Sequence, residues 1–176
     1  MSNIKKMKKI IFTVCVLVLF SACENNKIEN FARKTTVEDI KQNPDFAFWF
    51  LSGYKNYNVS QILSQEIQDN FDAEKHSFLI YTAPDCLCGS DYLKFPAFIK
   101  VLDSAGISED FYQIFIVQNV ATQHPYSEIF KLNSIPAFAI LKDGKFIYSV
   151  SDTLLQYNFT VEPNKLQEVF LEGLQK

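Results

Sequence analysis

The spacing of hydrophobic positions predicts helices in two parts of the chain. Between Ser60 and Asn70 the apolar residues recur every three or four positions, and Ser60 is a suitable N-cap residue. The same spacing runs from about Pro163 to Leu174, which predicts a second amphipathic helix. Its residues expected to face the core are Leu166, Val169, Phe170 and Leu174.

Continuous apolar runs predict the strands of a buried sheet. The runs SFLIYTAP, from Ser77, and DFYQIFIV, from Asp110, lack the alternation of a half-exposed strand, so both are predicted to be buried on both faces. The run IPAFAILKDGKFIYSV contains Asp143-Gly144 between two apolar halves. That dipeptide is the strongest short hairpin signal in the chain and predicts two antiparallel strands.

The segments between these strands carry further helical signals. An apolar stripe from Tyr92 to Leu102 ends near Gly106 and contains Pro96, so we predict a kinked helix there. His124-Pro125 is predicted to open a short helix. The resulting order of elements is β-α-β-α-β-β-α, which indicates an α/β fold.

Two helix-start signals precede these elements. Thr36 is a candidate N-cap followed by acidic residues, and Asn43-Pro44 places a capping residue before a proline at the first helical position. The aromatic-rich run 45–57 is predicted to be a helix face packed on the core rather than a functional aromatic platform. We therefore predict a domain over residues 36–176 with an N-terminal helical extension, preceded by a flexible tether over residues 23–35.

The first residues form the pattern of an export signal. Four lysines precede an apolar run from Ile10 to Phe20, and small residues lead to Cys23. The run is shorter than the roughly 20 residues that span a bilayer. The stretch LFSAC resembles the bacterial lipobox, which implies that residues 1–22 are removed as a signal peptide and that Cys23 carries lipid. The expected location is the bacterial cell envelope, with the protein lipid-anchored and either facing the periplasm or exposed at the surface.

The charge and the cysteine content reduce the number of possible functions. The 176 residues carry 17 Lys and Arg against 20 Asp and Glu, and removing four lysines with the signal leaves 13 − 20 = −7. An acidic domain without a basic cluster argues against a nucleic-acid partner. Because Cys15 leaves with the signal and Cys23 is lipidated, only Cys86 and Cys88 remain, in a compartment that permits disulfides.

The cysteine pair sits in a wider pattern. Ala83-Pro84-Asp85-Cys86 ends an apolar strand, and Ile135-Pro136 opens the hairpin. Over residues 58–176 this pattern resembles the thioredoxin-like superfamily, with Cys86-Leu87-Cys88 in place of the usual CxxC motif. The resemblance implies a mixed central sheet flanked by helices and a cis Ile135-Pro136 bond facing the cysteines. It also implies disulfide exchange with exported proteins that carry thiols or disulfides, driven by a membrane or periplasmic dithiol donor. No cofactor or metal is required.

The position of the thiols suits this chemistry. A thiol where a strand ends and a helix begins meets unpaired N–H groups and the positive end of the helix dipole, which favour the thiolate. Cys86 is therefore the candidate nucleophile and Cys88 the resolving thiol, while Ile135 and Pro136 would position the partner chain. A Cys86–Cys88 bridge requires non-helical backbone at Leu87, so we predict a strained and readily reduced disulfide.

Other interpretations of the pair stay open. A structural staple across one residue would add little stability. Zinc would need four ligands, while the only histidines are His76 and His124. Copper(I) needs fewer, softer ligands, so a copper chaperone that uses Cys86, Cys88 and His124 is an alternative, although a histidine before proline is more often a surface or turn residue. A non-catalytic scaffold is a further alternative.

Overall fold

Five strands form one mixed sheet in the computed structural model, which describes residues 30–84, 91–159, 162 and 164–176. The strands are β1 (Arg33–Thr35), β2 (His76–Thr82), β3 (Tyr112–Ile116), β4 (Ala137–Lys142) and β5 (Lys145–Ser149). Their spatial order is β1-β3-β2-β4-β5, with β2 parallel to β3 and the other neighbours antiparallel. The α/β class is confirmed.

Helices precede, connect and follow these strands. They are α1 (Val37–Gln42), α2 (Pro44–Asn56), α3 (Gln61–Asn70), α4 (Lys94–Ser104), α5 (Val150–Leu154) and α6 (Lys165–Leu174), with 3-10 turns at Asp91–Leu93 and Glu109–Phe111. Helix α5 was not predicted, and the predicted start of α6 at Pro163 shifts to Lys165. Within the described ranges, no helix is long and apolar enough to cross a bilayer.

The predicted N-terminal helical extension is confirmed, together with its caps. The Thr36 hydroxyl accepts the Asp39 N–H at 3.1 Å, and the Asp39 carboxylate accepts the Thr36 N–H at 3.2 Å. The Asn43 side chain accepts the Asp45 N–H at 2.9 Å, with Pro44 at the first helical position. These contacts satisfy N–H groups that a helix start leaves unpaired.

Strand β1 corrects the predicted extent of the tether. Arg33–Thr35 pairs with β3, and the neighbouring Gln123 donates its N–H to Asn30 O at 2.9 Å and accepts the Ala32 N–H at 2.7 Å. A short edge strand held through its backbone leaves no apolar periodicity in the sequence. The flexible tether therefore does not reach residue 35, and residues 23–29 lie outside the described residues.

The structure places Pro96 in the first turn of helix α4. The helix begins at Lys94 after the 3-10 turn, so Pro96 does not lie in its interior. The N–H that proline lacks has no partner within α4 at that position, so Pro96 removes no hydrogen bond from α4. Helix α2 packs closely on this turn at Gly53, where a Cβ would lie only 2.6 Å from Pro96 Cγ.

The predicted short helix after His124-Pro125 is wrong. Residues 117–136 are all described, and they form turns and irregular chain without a helix. The Ser127 hydroxyl accepts the His124 N–H at 3.0 Å and donates to His124 O at 2.8 Å. The His124 carbonyl also accepts the Ser127 N–H at 3.1 Å, so the chain closes a single turn here.

The hairpin signal is confirmed. Asp143 and Gly144 join β4 to β5 with φ angles of 53° and 74°, and Lys142 pairs with Lys145 across the turn. Positive φ at both central positions matches the right-handed twist of the strands, and Asp-Gly tolerates it well.

The sheet is covered differently on its two faces. Helices cover the first face, called here the helical face, whose core includes Phe50, Phe98, Phe138 and Phe170. All four predicted inward residues of α6 are buried there. The opposite face, called the loop face, is covered by residues 117–136, and its core contains Ala32, Leu79, Tyr81, Phe115, Val117, Phe130, Leu132, Ala137, Ala139 and Leu141.

Candidate functional site

Strand register brings two predicted parts of the site to the same end of the sheet. Tyr81 on β2 lies opposite Ala137 on β4 in an antiparallel pair. The chain that leaves β2 towards Cys86 therefore runs beside Ile135-Pro136, which leads into β4. The Ile135-Pro136 bond is cis, as predicted. Cys86, Cys88 and the lipidation candidate Cys23 lie outside the described residues.

The end of β2 is held on both sides because β2 lies between β3 and β4 in the sheet. Beyond the paired residues, Thr82 O accepts the Val117 N–H at 2.8 Å. Thr82 and Ala83 are both buried. The segment that leads to Cys86 is therefore fixed up to its last described residues.

Lys94 adds a buried cation close in sequence to the cysteines. It is the first residue of α4, six positions after Cys88, and only 7% of it is exposed. A nearby ammonium group favours thiolate over thiol. Sequence reasoning missed Lys94 because a lysine is normally a surface residue, and only the packing of α4 shows its burial.

Tyr81 and His124 form a buried polar pair on the loop face. The Tyr81 hydroxyl and His124 Nδ1 are hydrogen-bonded at 2.9 Å, and their rings meet edge to face with centroids 4.7 Å apart. Burial raises the pKa of Tyr81 and lowers the pKa of His124, so both side chains are neutral near pH 7. His124 opens a turn, because its carbonyl accepts the Ser127 N–H at 3.1 Å, but its side chain is buried in the core and not on the surface.

The same pair bears on the copper alternative. Because Nδ1 of His124 is hydrogen-bonded to Tyr81, only Nε2 could bind a metal without breaking that bond. Within the part of the chain that the structure describes, no group of three or more metal-binding side chains lies together. The described geometry thus gives His124 a packing role, and it offers no separate support for a copper site.

Ser134 introduces an unpaired hydroxyl beside the cis proline. Its Oγ is buried and has no hydrogen-bond partner among the described residues. A buried hydroxyl without a partner carries a desolvation cost. No sequence signal marks Ser134, since serine is ordinary in a loop before proline.

A cavity of about 380 Å³ adjoins the 3-10 turn that follows the cysteine segment. It lies between this turn and α2, with Leu93 on one side and Gly53 on the other. Its described lining residues are Ser52, Gly53, Asn56, Tyr57, Tyr92, Leu93 and Phe159. Its size and its mixed aromatic and polar lining suit one large side chain of a bound partner.

The chain matches no protein-family model, no curated protein and no solved structure.

Proposed function

We propose that the protein is a lipid-anchored thiol-disulfide oxidoreductase of the bacterial envelope, with a thioredoxin-like fold. The observation that carries this proposal is the register of β2 and β4, which sets the chain leading to Cys86 beside Ile135-Pro136. A cysteine pair in that position can meet a partner chain held along the start of β4.

The arrangement of elements supports the thioredoxin-like part of the proposal. A buried strand leads to the cysteines, a helix follows them, and β3 then lies parallel to the first strand. The β4–β5 hairpin packs against the other side of β2, and α6 covers the helical face. The strand before the cysteines, the helix after them, the second strand and the hairpin are the elements on which the sequence resemblance rests.

The proposed reaction is reversible exchange between two dithiol–disulfide pairs. The Cys86 thiolate attacks one sulfur of a disulfide in an exported protein, forming a mixed disulfide and releasing the other sulfur as a thiolate. The Cys88 thiolate then attacks Cys86 Sγ, which forms the Cys86–Cys88 bridge and releases the second thiolate of the partner. A membrane or periplasmic dithiol donor restores the reduced pair by the same two steps.

Among the described residues one electrostatic feature favours the thiolate, and one feature of the sequence opposes it. Lys94 places a buried cation at the beginning of α4, six positions after Cys88. The neighbouring Asp85 carboxylate opposes ionisation of Cys86. Replacing Lys94 should therefore slow alkylation of Cys86 at neutral pH.

A trapping experiment tests the roles of the two cysteines. In Cys88→Ser the mixed disulfide cannot be resolved, so partners should stay covalently attached to Cys86 and be identified after non-reducing separation. The control is Cys86→Ser, which should trap far less because the attacking thiol is absent. Equal trapping by both variants, or trapping by neither, would contradict the proposed roles.

The reduction potential of the Cys86–Cys88 pair gives a second test. The strain expected of a one-residue bridge should place its reduction potential above about −300 mV, the range below which structural disulfides fall. Equilibration of the protein with glutathione buffers measures this value. A more negative potential, or tight stoichiometric copper(I) binding without disulfide exchange, would reject the oxidoreductase assignment.

The anchor is tested separately. Cys23→Ser should release the protein from the membrane fraction, because an acylated Cys23 is the proposed attachment point. Mass spectrometry of the mature N-terminal peptide should show acyl groups on Cys23. An unmodified Cys23 would remove the lipoprotein assignment and leave the thiol chemistry to be judged by trapping.

A further inference from the structure

The chain enters the domain at a corner built from two segments. Residues 30–34 meet the loop 118–123 through Gln123, whose N–H donates to Asn30 O at 2.9 Å and whose carbonyl accepts the Ala32 N–H at 2.7 Å. We call these two segments the N-terminal corner. The hydrogen bonds fix the point from which any preceding residues depart.

The N-terminal corner exposes two apolar side chains. Phe31 is 53% exposed and Val120 is 49% exposed. Val120 lies in a turn held by the Thr122 hydroxyl, which accepts the N–H groups of Gln118 and Asn119, both at 3.1 Å. Both apolar groups are thus presented by hydrogen-bonded backbone beside the point where the chain enters.

The charge of this corner differs from that of the rest of the domain. Arg33 and Lys34 are exposed, and the ranges 30–36 and 117–127 contain no Asp or Glu, although Asp39 of α1 lines the same surface cleft as both cations. The mature chain as a whole has a formal charge of −7, from 13 basic and 20 acidic residues. With two cations against one neighbouring carboxylate, the corner is a net cationic and partly apolar patch on an acidic protein, the combination that binds an anionic membrane surface.

The length of chain before the corner limits its distance from the membrane. Seven residue steps separate Cys23 from Asn30, and fully extended they reach at most about 25 Å. This step rests on the proposed function, because it takes Cys23 as the lipidated residue. A tether of that length keeps the corner within reach of the lipid headgroups.

The corner also lies at the reactive end of the sheet. Arg33 at the start of β1 is paired with Ile116, and Ile116 is paired with Thr82 at the end of β2. Two strand spacings, about 10 Å, therefore separate the corner from the strand end that leads to Cys86. A membrane surface that binds the N-terminal corner therefore also lies near the end of β2 that leads to Cys86.

We propose that the N-terminal corner docks on an anionic lipid bilayer, with Phe31 and Val120 in the interface and Arg33 and Lys34 beside the phosphates. Docking sets the cysteine end of the sheet against the membrane. The class of partner that this orientation serves is a dithiol or disulfide held at the membrane surface, such as a membrane-embedded electron donor or another anchored protein.

A pair of tryptophan variants tests the docking. The probe is the lipidated protein, produced by a bacterium from the full chain and placed in vesicles of phosphatidylethanolamine and phosphatidylglycerol, with or without bromine on the acyl chains as a quencher. F31W adds a tryptophan at the corner, and F48W adds one at an 86% exposed position of α2. The parent chain supplies the background from Trp49, its only tryptophan.

Emission from the F31W tryptophan should fall by about half in brominated vesicles, because interfacial side chains enter the acyl boundary by about 5–10 Å. The emission of F48W and of the parent should be the same in brominated and unbrominated vesicles. Adding R33Q and K34Q to F31W should weaken the quenching, and this loss should shrink at high salt. Quenching of F48W equal to or above that of F31W would overturn the proposed orientation.

The same preparation separates this inference from the proposed function. Mass spectrometry reports lipid at Cys23, and trapping with Cys88→Ser reports thiol exchange. Lipid at Cys23 with an unquenched F31W overturns docking alone. An unmodified Cys23 overturns both the anchor and the docking, whatever the trapping shows.

Discussion

The helical face and the loop face of the sheet are both buried, but the chain that covers them satisfies its backbone in different ways. Helices α1 to α4 and α6 bond their own N–H and C=O groups and contribute apolar side chains to the core. Residues 117–136 have no such regular ladder. There, side chains such as Thr122 and Ser127 accept or donate hydrogen bonds for the backbone.

Both faces bury polar side chains as well as apolar ones, but with different partners. On the helical face the fully buried Gln167 of α6 accepts the Ser60 N–H at 2.8 Å and donates to the Ser64 hydroxyl at 3.2 Å. On the loop face the core includes the polar pair Tyr81 and His124, next to Phe130. We infer that stability depends on close packing and on buried hydrogen bonds on both faces.

The largest expected effect is the loss of a packed aromatic ring on the helical face. Phe98 is 1% exposed and stacks on Phe138 with ring centroids 4.4 Å apart. F98A should lower the free energy of unfolding in urea by about 3–5 kcal/mol, because the sheet at Phe138 and helix α6 at Phe170 limit collapse of the cavity. F130A on the loop face is the matched control and should cost less, since irregular chain can close around the gap. Equal losses would show that both faces are equally rigid.

The next largest effect is expected from loss of the hydrogen bond in the buried polar pair on the loop face. Y81F keeps the ring but removes the hydroxyl that is bonded to His124 Nδ1, leaving a buried ring nitrogen unpaired. The free energy of unfolding should fall by about 1–3 kcal/mol. Y112F is the control, since Tyr112 is also a buried strand tyrosine, on the helical face. A free energy of unfolding in Y81F equal to that of the parent would mean that the hydrogen bond contributes no net stability.

A smaller effect is expected where a side chain supports the irregular backbone. T122V preserves the shape of Thr122 but removes the oxygen that accepts two N–H groups. Water can reach part of this exposed turn, so the expected loss in the free energy of unfolding is about 0.5–1.5 kcal/mol. T122S keeps the hydroxyl and should retain more of the stability. A larger loss in T122S would show that the methyl group, and not the hydroxyl, matters.

The helical face was largely predictable from the sequence because its signals are local. Caps at Thr36, Asn43 and Ser60 and the apolar spacing of α6 depend on residues within a few positions of one another. The Asp143-Gly144 turn is equally local. Strand β1 and the irregular segment 117–136 were missed or misassigned, since backbone pairing with distant chain leaves little trace in local periodicity.

The candidate site also has a part that local sequence patterns predicted and a part that they did not. Ala83-Pro84 and Ile135-Pro136 are local patterns, and the register of β2 and β4 brings them to one end of the sheet. The burial of Lys94, the hydrogen bond between Tyr81 and His124, and the unpaired Ser134 hydroxyl were missed because they depend on tertiary packing. A sequence pattern identifies a reactive residue type, whereas the environment that tunes it depends on contacts across the fold.

The smallest expected effect is the pH dependence of the free energy of unfolding, to which one histidine on each face contributes. His76, at the start of β2, accepts the Asp72 N–H at its Nδ1 and contacts Phe71, while His124 lies on the loop face. Burial is the main cause that lowers the pKa of both from the ordinary 6.5. The folded protein therefore disfavours protonation, and the unfolded chain binds more protons as the pH falls below 6.5.

The free energy of unfolding should consequently be flat above about pH 7 and decline progressively below 6.5, as urea titrations at several pH values would show. His76→Asn and His124→Asn each retain an acceptor in place of Nδ1 and remove one titrating group, so each should flatten part of the decline. If His124→Asn flattens it more, the loop face is the more acid-sensitive of the two. A decline identical to that of the parent in both variants would assign acid sensitivity to groups other than the histidines.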